Sequence, residues 1–151
     1  MKKPFILKHY KGAPGLRLFG LGPNLIPCNG LIKLAKFLHE NAFWAKNRDL
    51  KHLKACLAQS DIVVSLWLRN EIVGFGRALT DGIYRGVLWD VVIDEQLQGK
   101  GYGKIIVNTI LNSKKMKATQ KIYLMTTNKK DFYYSLDFKE ANTQHLLYKE
   151  K

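Results

Sequence analysis

The sequence predicts a mixed α/β fold, because segments with strand character alternate with segments of helical periodicity along one chain of 151 residues. Stretches rich in Ile, Val and aromatic residues recur between turn signals, as in buried strands. Elsewhere apolar residues repeat every three or four positions, as on one face of a helix. The length is that of a single domain. We expect residues 16–151 to form that domain, after a loosely ordered N-terminal arm at residues 1–15.

The first half of the predicted domain contains one strand followed by two helices. Residues 16–21 alternate enough to predict the strand. Apolar stripes over residues 31–38 and 50–57 predict the helices. Asn47 or Asp49 can cap the second helix, since a short polar side chain there can accept a hydrogen bond from a free backbone N–H group.

Three strands follow as a meander. Residues 61–68 and 72–79 are rich in Ile and Val and are separated by a short turn, which predicts a hairpin. Asp81-Gly82 is a second turn signal, because both residues tolerate a positive φ. The third strand, at residues 84–93, ends on an apolar run typical of the middle of a sheet.

The last third of the chain has a helix, a strand, a short helix and a weak strand. The helix covers residues 105–111 and the strand covers residues 122–126. Asn128 can cap the short helix that carries Tyr133, and residues 145–148 form the weak final strand.

Composition excludes several classes of protein. No apolar run approaches the roughly 20 residues that span a bilayer, and the N-terminus lacks a signal-peptide core. We therefore expect a cytoplasmic protein, or one of the plastid stroma if a plastid genome encodes it. The four histidines and two cysteines are scattered, so we expect neither a metal site nor a disulfide framework. The net charge of +13 favours anionic partners, and both coenzyme A and nucleic acid satisfy that condition.

The segment most informative about function is a glycine-rich turn between a strand and a helix, Gln98-Gly99-Lys100-Gly101-Tyr102-Gly103-Lys104. Such a turn directs several backbone N–H groups and a helix N-terminus toward one point, which attracts phosphate. The turn does not match the P-loop, because Gln98 replaces its first glycine and Ile105 replaces its Ser or Thr. It does not match the dinucleotide-binding GxGxxG pattern either. Neither ATP nor NAD is indicated.

Gln98-x-x-Gly101-x-Gly103 does match [QR]xxGx[GA], the coenzyme A loop of the GNAT superfamily of N-acetyltransferases. Phe132-Tyr133-x-x-Leu136-x-Phe138 resembles the FYxxLGF segment of the same superfamily, with Asp137 where that segment has glycine. The resemblance extends over residues 60–148. Residues 76–85, 88–93 and 123–127 resemble acetyltransferases of cyanobacteria and plastid genomes, relatives of chloroplast enzymes that acetylate protein amines and arylalkylamines such as serotonin.

The resemblance implies a twisted, largely antiparallel sheet with helices on both faces, which splays open where acetyl-CoA binds. It also implies roles for individual residues. The pyrophosphate would be held by residues of the glycine-rich turn, which are Gln98, Gly99, Lys100, Gly101, Tyr102, Gly103 and Lys104. The pantetheine arm and the thioester carbonyl would pair with backbone groups of Val91, Val92 and Ile93, and Asn128 would add a hydrogen bond. The amine would attack the thioester directly.

Two residues are candidates for proton transfer. Tyr133 matches the tyrosine that protonates the departing thiolate in many members, and a phenol of pKa about 10 is protonated at neutral pH. Tyr134 is the alternative donor. Asp90 is the nearest carboxylate to the expected thioester and could act as a base through a water, orient the amine, or form only a structural bond, for example with Arg85. At Asp137 we expect a positive φ, which Asp tolerates better than most residues.

The acceptor stays open between small arylalkylamines and protein lysine or N-terminal amines. Trp44, Trp67, Trp89 and Tyr84 could line an aromatic-amine pocket or could be core residues. Two other function classes stay open. One is a basic module that binds nucleic acid or a ribosome, which is not favoured. The other is a regulator that binds acetyl-CoA without turnover. We expect a monomer or a homodimer.

Overall fold

The computed structural model describes residues 2–151, which contain five strands in one sheet with the spatial order β1-β2-β3-β4-β5. The strands are β1 (Phe5–Tyr10), β2 (Ile62–Leu68), β3 (Glu71–Thr80), β4 (Arg85–Ile93) and β5 (Lys121–Tyr123). Strands β1 to β4 pair antiparallel, and β5 pairs parallel with β4. The predicted mixed class and largely antiparallel sheet are confirmed.

The helices of residues 2–151 are α1 (Gly30–Asn41), α2 (Leu50–Gln59), α3 (Tyr102–Leu111), α4 (Lys114–Ala118) and α5 (Lys130–Tyr134). Asp49 caps α2 as predicted, since its carboxylate accepts a hydrogen bond of 3.0 Å from the His52 N–H group. Asn128 does not cap α5, so that prediction is wrong. The cap residue is Lys129, whose N–H group donates to Thr126 Oγ1 at 3.2 Å.

Apolar side chains form a core on each face of the sheet. On one face, Leu34 of α1 and Leu57 of α2 belong to the same buried cluster as Val63 of β2. On the other face, Ile106 of α3 packs in a cluster with Val64, the next residue of β2. Because successive strand residues point to opposite faces, β2 supplies both cores and is buried on both sides.

The N-terminal prediction is wrong in two places. Residues 5–10 do not form a loose arm but strand β1, which pairs with β2 from Phe5 opposite Trp67 to Tyr10 opposite Ile62. Lys8 and His9 interrupt the apolar pattern of this edge strand, although His9 is buried and only Lys8 is exposed. Residues 16–21 are not a strand; the N–H group of Phe19 donates to the Gly15 carbonyl at 2.8 Å, which makes a turn. Leu16 is buried there as a packing residue.

The C-terminal prediction is also wrong, because residues 145–148 form no strand. Their apolar side chains lie outside both cores, and Leu147 is 87% exposed. Strand β5 is three residues long, shorter than predicted from residues 122–126. In the described part of the chain, no helix has the length and apolar character needed to cross a bilayer.

Candidate active site

The sheet opens between β4 and β5. These strands pair only from Arg85 opposite Lys121 to Val87 opposite Tyr123. Strand β4 continues to Ile93 with β3 on one side, and within residues 2–151 no strand pairs with its other side beyond Val87. The expected splayed sheet is therefore present, with one edge of β4 open over Val91, Val92 and Ile93.

A β-bulge lies at the middle of this open edge. Phe75 of β3 faces Val92, and Arg77 faces Trp89, so two residues of β4 lie opposite Gly76 alone. One of them, Asp90, has a φ of 53°, which is uncommon for a residue other than glycine. The bulge turns the Asp90 side chain away from the regular alternation of the strand.

The glycine-rich turn follows the end of β4 and leads into α3. Gly99 and Gly101 have φ values of 74° and 84°, a region that glycine adopts without steric cost. In residues 2–151 no acceptor is found for the six backbone N–H groups of Gly99–Lys104. A Cβ atom added at Gly101 would meet no atom within 4 Å, so there is open space beside this backbone.

These features fit a diphosphate. Free N–H groups at the start of a helix carry a partial positive charge and bind anions. The exposed Lys104 adds a positive charge, whereas Lys100 donates to the Gln96 carbonyl at 2.8 Å. The Gln98 side chain donates to the Ile93 carbonyl at 3.3 Å, which ties the turn to the end of β4. The predicted phosphate-binding residues thus lie together, directly beyond the open edge.

Helix α5 brings Tyr133 to the same region. Gly103 allows α3 to approach α5 closely, because a Cβ atom there would lie 3.1 Å from the Phe132 ring. Tyr133 packs edge-to-face on Phe132 at 4.9 Å and is only 9% exposed. Burial raises the pKa of Tyr133 to about 12, and its hydroxyl makes no hydrogen bond with residues 2–151. Such a phenol keeps its proton and can donate it to a ligand.

The alternative donor, Tyr134, is exposed and lies outside the apolar cluster that holds Tyr133. This placement favours Tyr133. Asn128 is exposed in the bend before α5. Asp137 has the expected positive φ, 65°, at the turn that closes α5.

Asp90 is held by hydrogen bonds from three side chains. Its Oδ1 atom accepts from Trp44 Nε1 at 3.1 Å and from Arg48 at 3.0 Å. Its Oδ2 atom accepts from Arg48 and from Arg77, both at 2.8 Å. Burial alone would raise the pKa of Asp90, but the hydrogen bonds from Arg48 and the charge of Arg77 outweigh it and hold that pKa below its ordinary value.

This geometry contradicts the general-base role considered for Asp90. A base needs a free lone pair and a pKa near the working pH, and Asp90 has neither. Its structural partner is also not Arg85, which instead donates to the Tyr84 carbonyl at 2.9 Å. Arg48 and Arg77 were missed from the sequence. The hairpin register could have placed Arg77 beside Asp90, but no local pattern relates Arg48 to a residue so distant along the chain.

The four aromatic candidates for an acceptor pocket lie in different environments. Trp67 is a core residue, 2% exposed, and donates to Ser65 Oγ. Trp89 is half-buried beneath the Arg77 guanidinium. Tyr84 is exposed at the far end of β4. Only Trp44 combines exposure with a bond to Asp90. Residues 2–151 contain no group of three or more His, Cys, Asp or Glu side chains that could hold a metal ion.

Comparison with known proteins identifies the family of the domain that carries these residues. The family model described as an acetyltransferase (GNAT) domain matches residues 54–140, which include β4, the glycine-rich turn and α5. An uncharacterized N-acetyltransferase of Porphyra purpurea, ycf52, is 37% identical over 78 residues, covering 49% of this chain and 44% of the relative. The chloroplastic GCN5-related N-acetyltransferase 1 of Arabidopsis thaliana is 30% identical over 96 residues, covering 60% of this chain and 48% of the relative.

The chain thus matches about half the length of these curated relatives. Among solved structures, an aminoglycoside acetyltransferase from an uncultured soil metagenomic sample, crystallised with sisomicin, superposes with a TM-score of 0.68. The alignment covers 98% of this chain and 97% of that protein at 20% sequence identity. At that identity the match shows a shared fold.

Proposed function

Because this chain belongs to the GNAT family of acetyltransferases, we propose that it transfers the acetyl group of acetyl-CoA directly to an amine. Coenzyme A supplies the acetyl group as a thioester, which an amine can attack without a covalent enzyme intermediate. The observation that best supports this proposal is that the open edge of β4, the free N–H groups of Gly99–Lys104 and the protonated Tyr133 lie in one region.

Binding of the cofactor follows from the backbone. The N–H groups of the glycine-rich turn donate to the pyrophosphate, and the Lys104 ammonium group adds Coulomb attraction. Backbone groups of Val91, Val92 and Ile93 pair with the pantetheine arm as an added strand would, and orient the thioester carbonyl. Asn128 contributes a hydrogen bond from the neighbouring bend. Within residues 2–151 no strand pairs with the outer side of β4 at these three residues, and no acceptor is found for the N–H groups of the turn.

Tyr133 protonates the departing sulfur. A thiol has a pKa of about 8.5, so a thiolate takes up a proton as it leaves, and an acid beside it lowers the barrier. The raised pKa of Tyr133 keeps the hydroxyl protonated at neutral pH. The amine must attack as the neutral species; since Asp90 is saturated with donors, we propose that the amine loses its proton to solvent.

The acceptor belongs to one of two classes, small arylalkylamines or amines of proteins. We propose the plastid stroma as the compartment, with the cytoplasm as the alternative, because the Arabidopsis thaliana relative is named as chloroplastic. The net charge of +13 suits an anionic cofactor, although nucleic acid would also be attracted.

Acetyl-CoA binding is the first test, measured by calorimetric titration of the parent chain and of Gly101→Ala. Gly101→Ala strains a left-handed residue and places a methyl group in the space beside the free N–H groups, so we expect affinity to fall about tenfold. Gly82→Ala is the matched control. Gly82 also has a positive φ, 79°, with no atom within 4 Å of an added Cβ, but it lies at the β3–β4 turn.

Equal losses in both variants would show a general effect of backbone strain and count against the binding site. Absence of acetyl-CoA binding by the parent chain would refute the proposal and leave the basic nucleic-acid-binding module as the leading alternative, tested by salt-dependent binding to RNA. Binding without release of free thiol on a panel of amines would indicate the non-catalytic regulator.

A further inference from the structure

We propose that Trp44 forms one wall of the acceptor site and selects amines that carry a flat aromatic group, and that Asp90 is the positioning residue that holds it there. This inference rests on the proposed acetyl transfer. It replaces proton abstraction by Asp90 with a structural task, and it narrows the two acceptor classes to arylalkylamines.

The segment between α1 and α2 presents two aromatic rings to solvent. Ala42 and Ala45 are buried and anchor the segment, whereas Phe43 and Trp44 are 65% and 50% exposed. The two rings pack edge-to-face with their centroids 5.0 Å apart. An anchored backbone with exposed neighbouring rings is a preformed surface, and aromatic side chains lose little conformational entropy when a ligand stacks on them.

Asp90 fixes this surface beside the open edge of β4. Trp44 Nε1 lies 3.1 Å from Asp90 Oδ1, so the indole is hydrogen-bonded to the bulge residue directly before Val91. The bond satisfies the only polar atom of the indole and leaves the ring faces available. The same carboxylate accepts hydrogen bonds through both oxygens from Arg48, four residues after Trp44, which holds the segment between α1 and α2 at a second point.

The charge around Asp90 also favours this class of amine. Two guanidinium groups surround one carboxylate, so the cluster of Asp90, Arg48 and Arg77 carries a net positive charge. A second positive charge on the acceptor would be repelled there, which disfavours polyamines relative to a monoamine with an apolar body. Attraction to the site must then come from the apolar part of the acceptor, and the exposed rings of Phe43 and Trp44 provide it.

The test compares phenethylamine with cyclohexylethylamine, which have similar size but differ in having a flat aromatic ring. Thiol release gives kcat/KM for both amines in the parent chain, Trp44→Ala and Trp44→Phe. We expect Trp44→Ala to lower the phenethylamine-to-cyclohexylethylamine ratio about three- to tenfold, mainly through KM, and Trp44→Phe to restore most of it. An unchanged ratio in Trp44→Ala would overturn the proposal.

The matched control is Phe19→Ala. Phe19 is also an exposed aromatic residue, with 66% of its surface exposed. The carbonyl of its neighbour Gly20 accepts a hydrogen bond from Gly30 at the start of α1, whereas Trp44 follows the end of that helix. The length of α1, 12 residues, separates the two ends by about 18 Å. We expect no change in the ratio for Phe19→Ala, and a change as large as that of Trp44→Ala would overturn the proposal.

Asp90→Asn separates positioning from proton abstraction. Asn tolerates the left-handed conformation at this position but loses the charge that holds both arginines. A positioning role predicts a higher KM for phenethylamine and a smaller effect on kcat. Loss of the general base predicts a kcat lower by on the order of 100-fold with KM unchanged, and that result would overturn the assignment of Asp90.

Equilibrium binding tests the role of Trp44 independently of the proposed acetyl transfer. Saturation-transfer NMR measures phenethylamine binding to the parent chain and to Trp44→Ala without any turnover. If acetyl-CoA binds but no amine is acetylated, the proposed function fails, and the binding comparison still decides the role of Trp44. Weaker phenethylamine binding by Trp44→Ala supports the aromatic wall, and equal binding overturns it.

Discussion

At the scale of single residues, the chemistry of the site depends on which polar atoms are free and which are already bonded. The Tyr133 hydroxyl is nearly buried and has no partner in residues 2–151, so it is available to a ligand. The Asp90 carboxylate is equally buried, but both oxygens are occupied by donors. The sequence made both residues candidates for proton transfer, Tyr133 by its match to a family segment and Asp90 by its position before Val91, and the hydrogen bonds distinguish them.

Tyr133→Phe tests the proton donor. Since the hydroxyl bonds no other residue of the described chain, we expect the free energy of unfolding to change by less than about 0.5 kcal/mol. Removal of the acid should lower kcat on the order of 100-fold while acetyl-CoA affinity stays close to that of the parent chain. Urea unfolding, calorimetric titration and thiol release measure the three quantities.

Tyr134→Phe is the matched control, because the neighbouring tyrosine is exposed. A loss of kcat in Tyr134→Phe with none in Tyr133→Phe would transfer the role to Tyr134. Because the pKa of Tyr133 is raised to about 12, its ionisation should not reduce activity until the pH approaches that value.

At the scale of elements, the edges of the sheet decide how the core is closed. Strand β1 covers one edge of β2, and its apolar residues Ile6 and Leu7 pack against the cores on the two faces. The opposite side of the sheet stays open along β4, where the candidate site lies. The chain thus protects one edge with its N-terminal strand and leaves another open to the proposed ligand.

Deletion of residues 2–11 tests the contribution of β1. We expect the free energy of unfolding to fall by about 2–4 kcal/mol, because β2 loses its ladder partner and two half-buried apolar side chains are removed. Deletion of residues 149–151 is the control, since these residues are exposed and belong to no strand or helix. Urea denaturation of both truncated chains measures the difference, and equal stabilities would restore the interpretation of the N-terminus as a loose arm.

At the scale of the whole molecule, two buried carboxylates connect separate parts of the fold. Asp90 joins β4 to β3 and to the segment between α1 and α2. Asp61, just before β2, accepts from Lys115 of α4 at 2.8 Å and from the Thr80 N–H group at 2.9 Å. Burial alone would raise the pKa of Asp61, but the hydrogen bonds from Lys115 and Thr80 together with the charge of Lys115 outweigh it and hold that pKa below its ordinary value.

Stability should therefore fall in acid. A carboxylate whose pKa is lower in the folded state stabilises the fold above its unfolded pKa of about 3.9, and this contribution is lost as the pH falls through the folded value. We expect the thermal midpoint to vary little between pH 5 and 7 from this cause and to fall below about pH 4. Thermal unfolding followed by circular dichroism between pH 2 and 7 measures it.

Asp61→Asn provides the comparison for this pH dependence. The variant should unfold at a lower temperature than the parent chain at pH 7, because the bond from Lys115 loses its charge. Its midpoint should then decline less steeply in acid. A decline as steep as that of the parent chain would show that other groups govern acid unfolding.

Local sequence signals predicted most of the elements and the glycine-rich turn. The glycine-rich turn, the positive φ of Asp137 and the Asp49 cap all depend on a few consecutive residues, and the structure has each of them. The failures have a common cause. The apolar residues of β1 are interrupted by polar ones, and residues 145–148 are apolar without reaching a partner strand, so composition misled the assignment at both ends.

The sequence by itself determined the class of fold and the glycine-rich turn between β4 and α3, and it identified Tyr133 as the candidate proton donor. Only the tertiary structure decided that Asp90 is bonded to Arg48 and Trp44 and is not free to act as a base. The physical reason is range: a turn or a cap is set by torsion angles of neighbouring residues, whereas the protonation of a buried carboxylate is set by charges that packing brings together from distant parts of the chain.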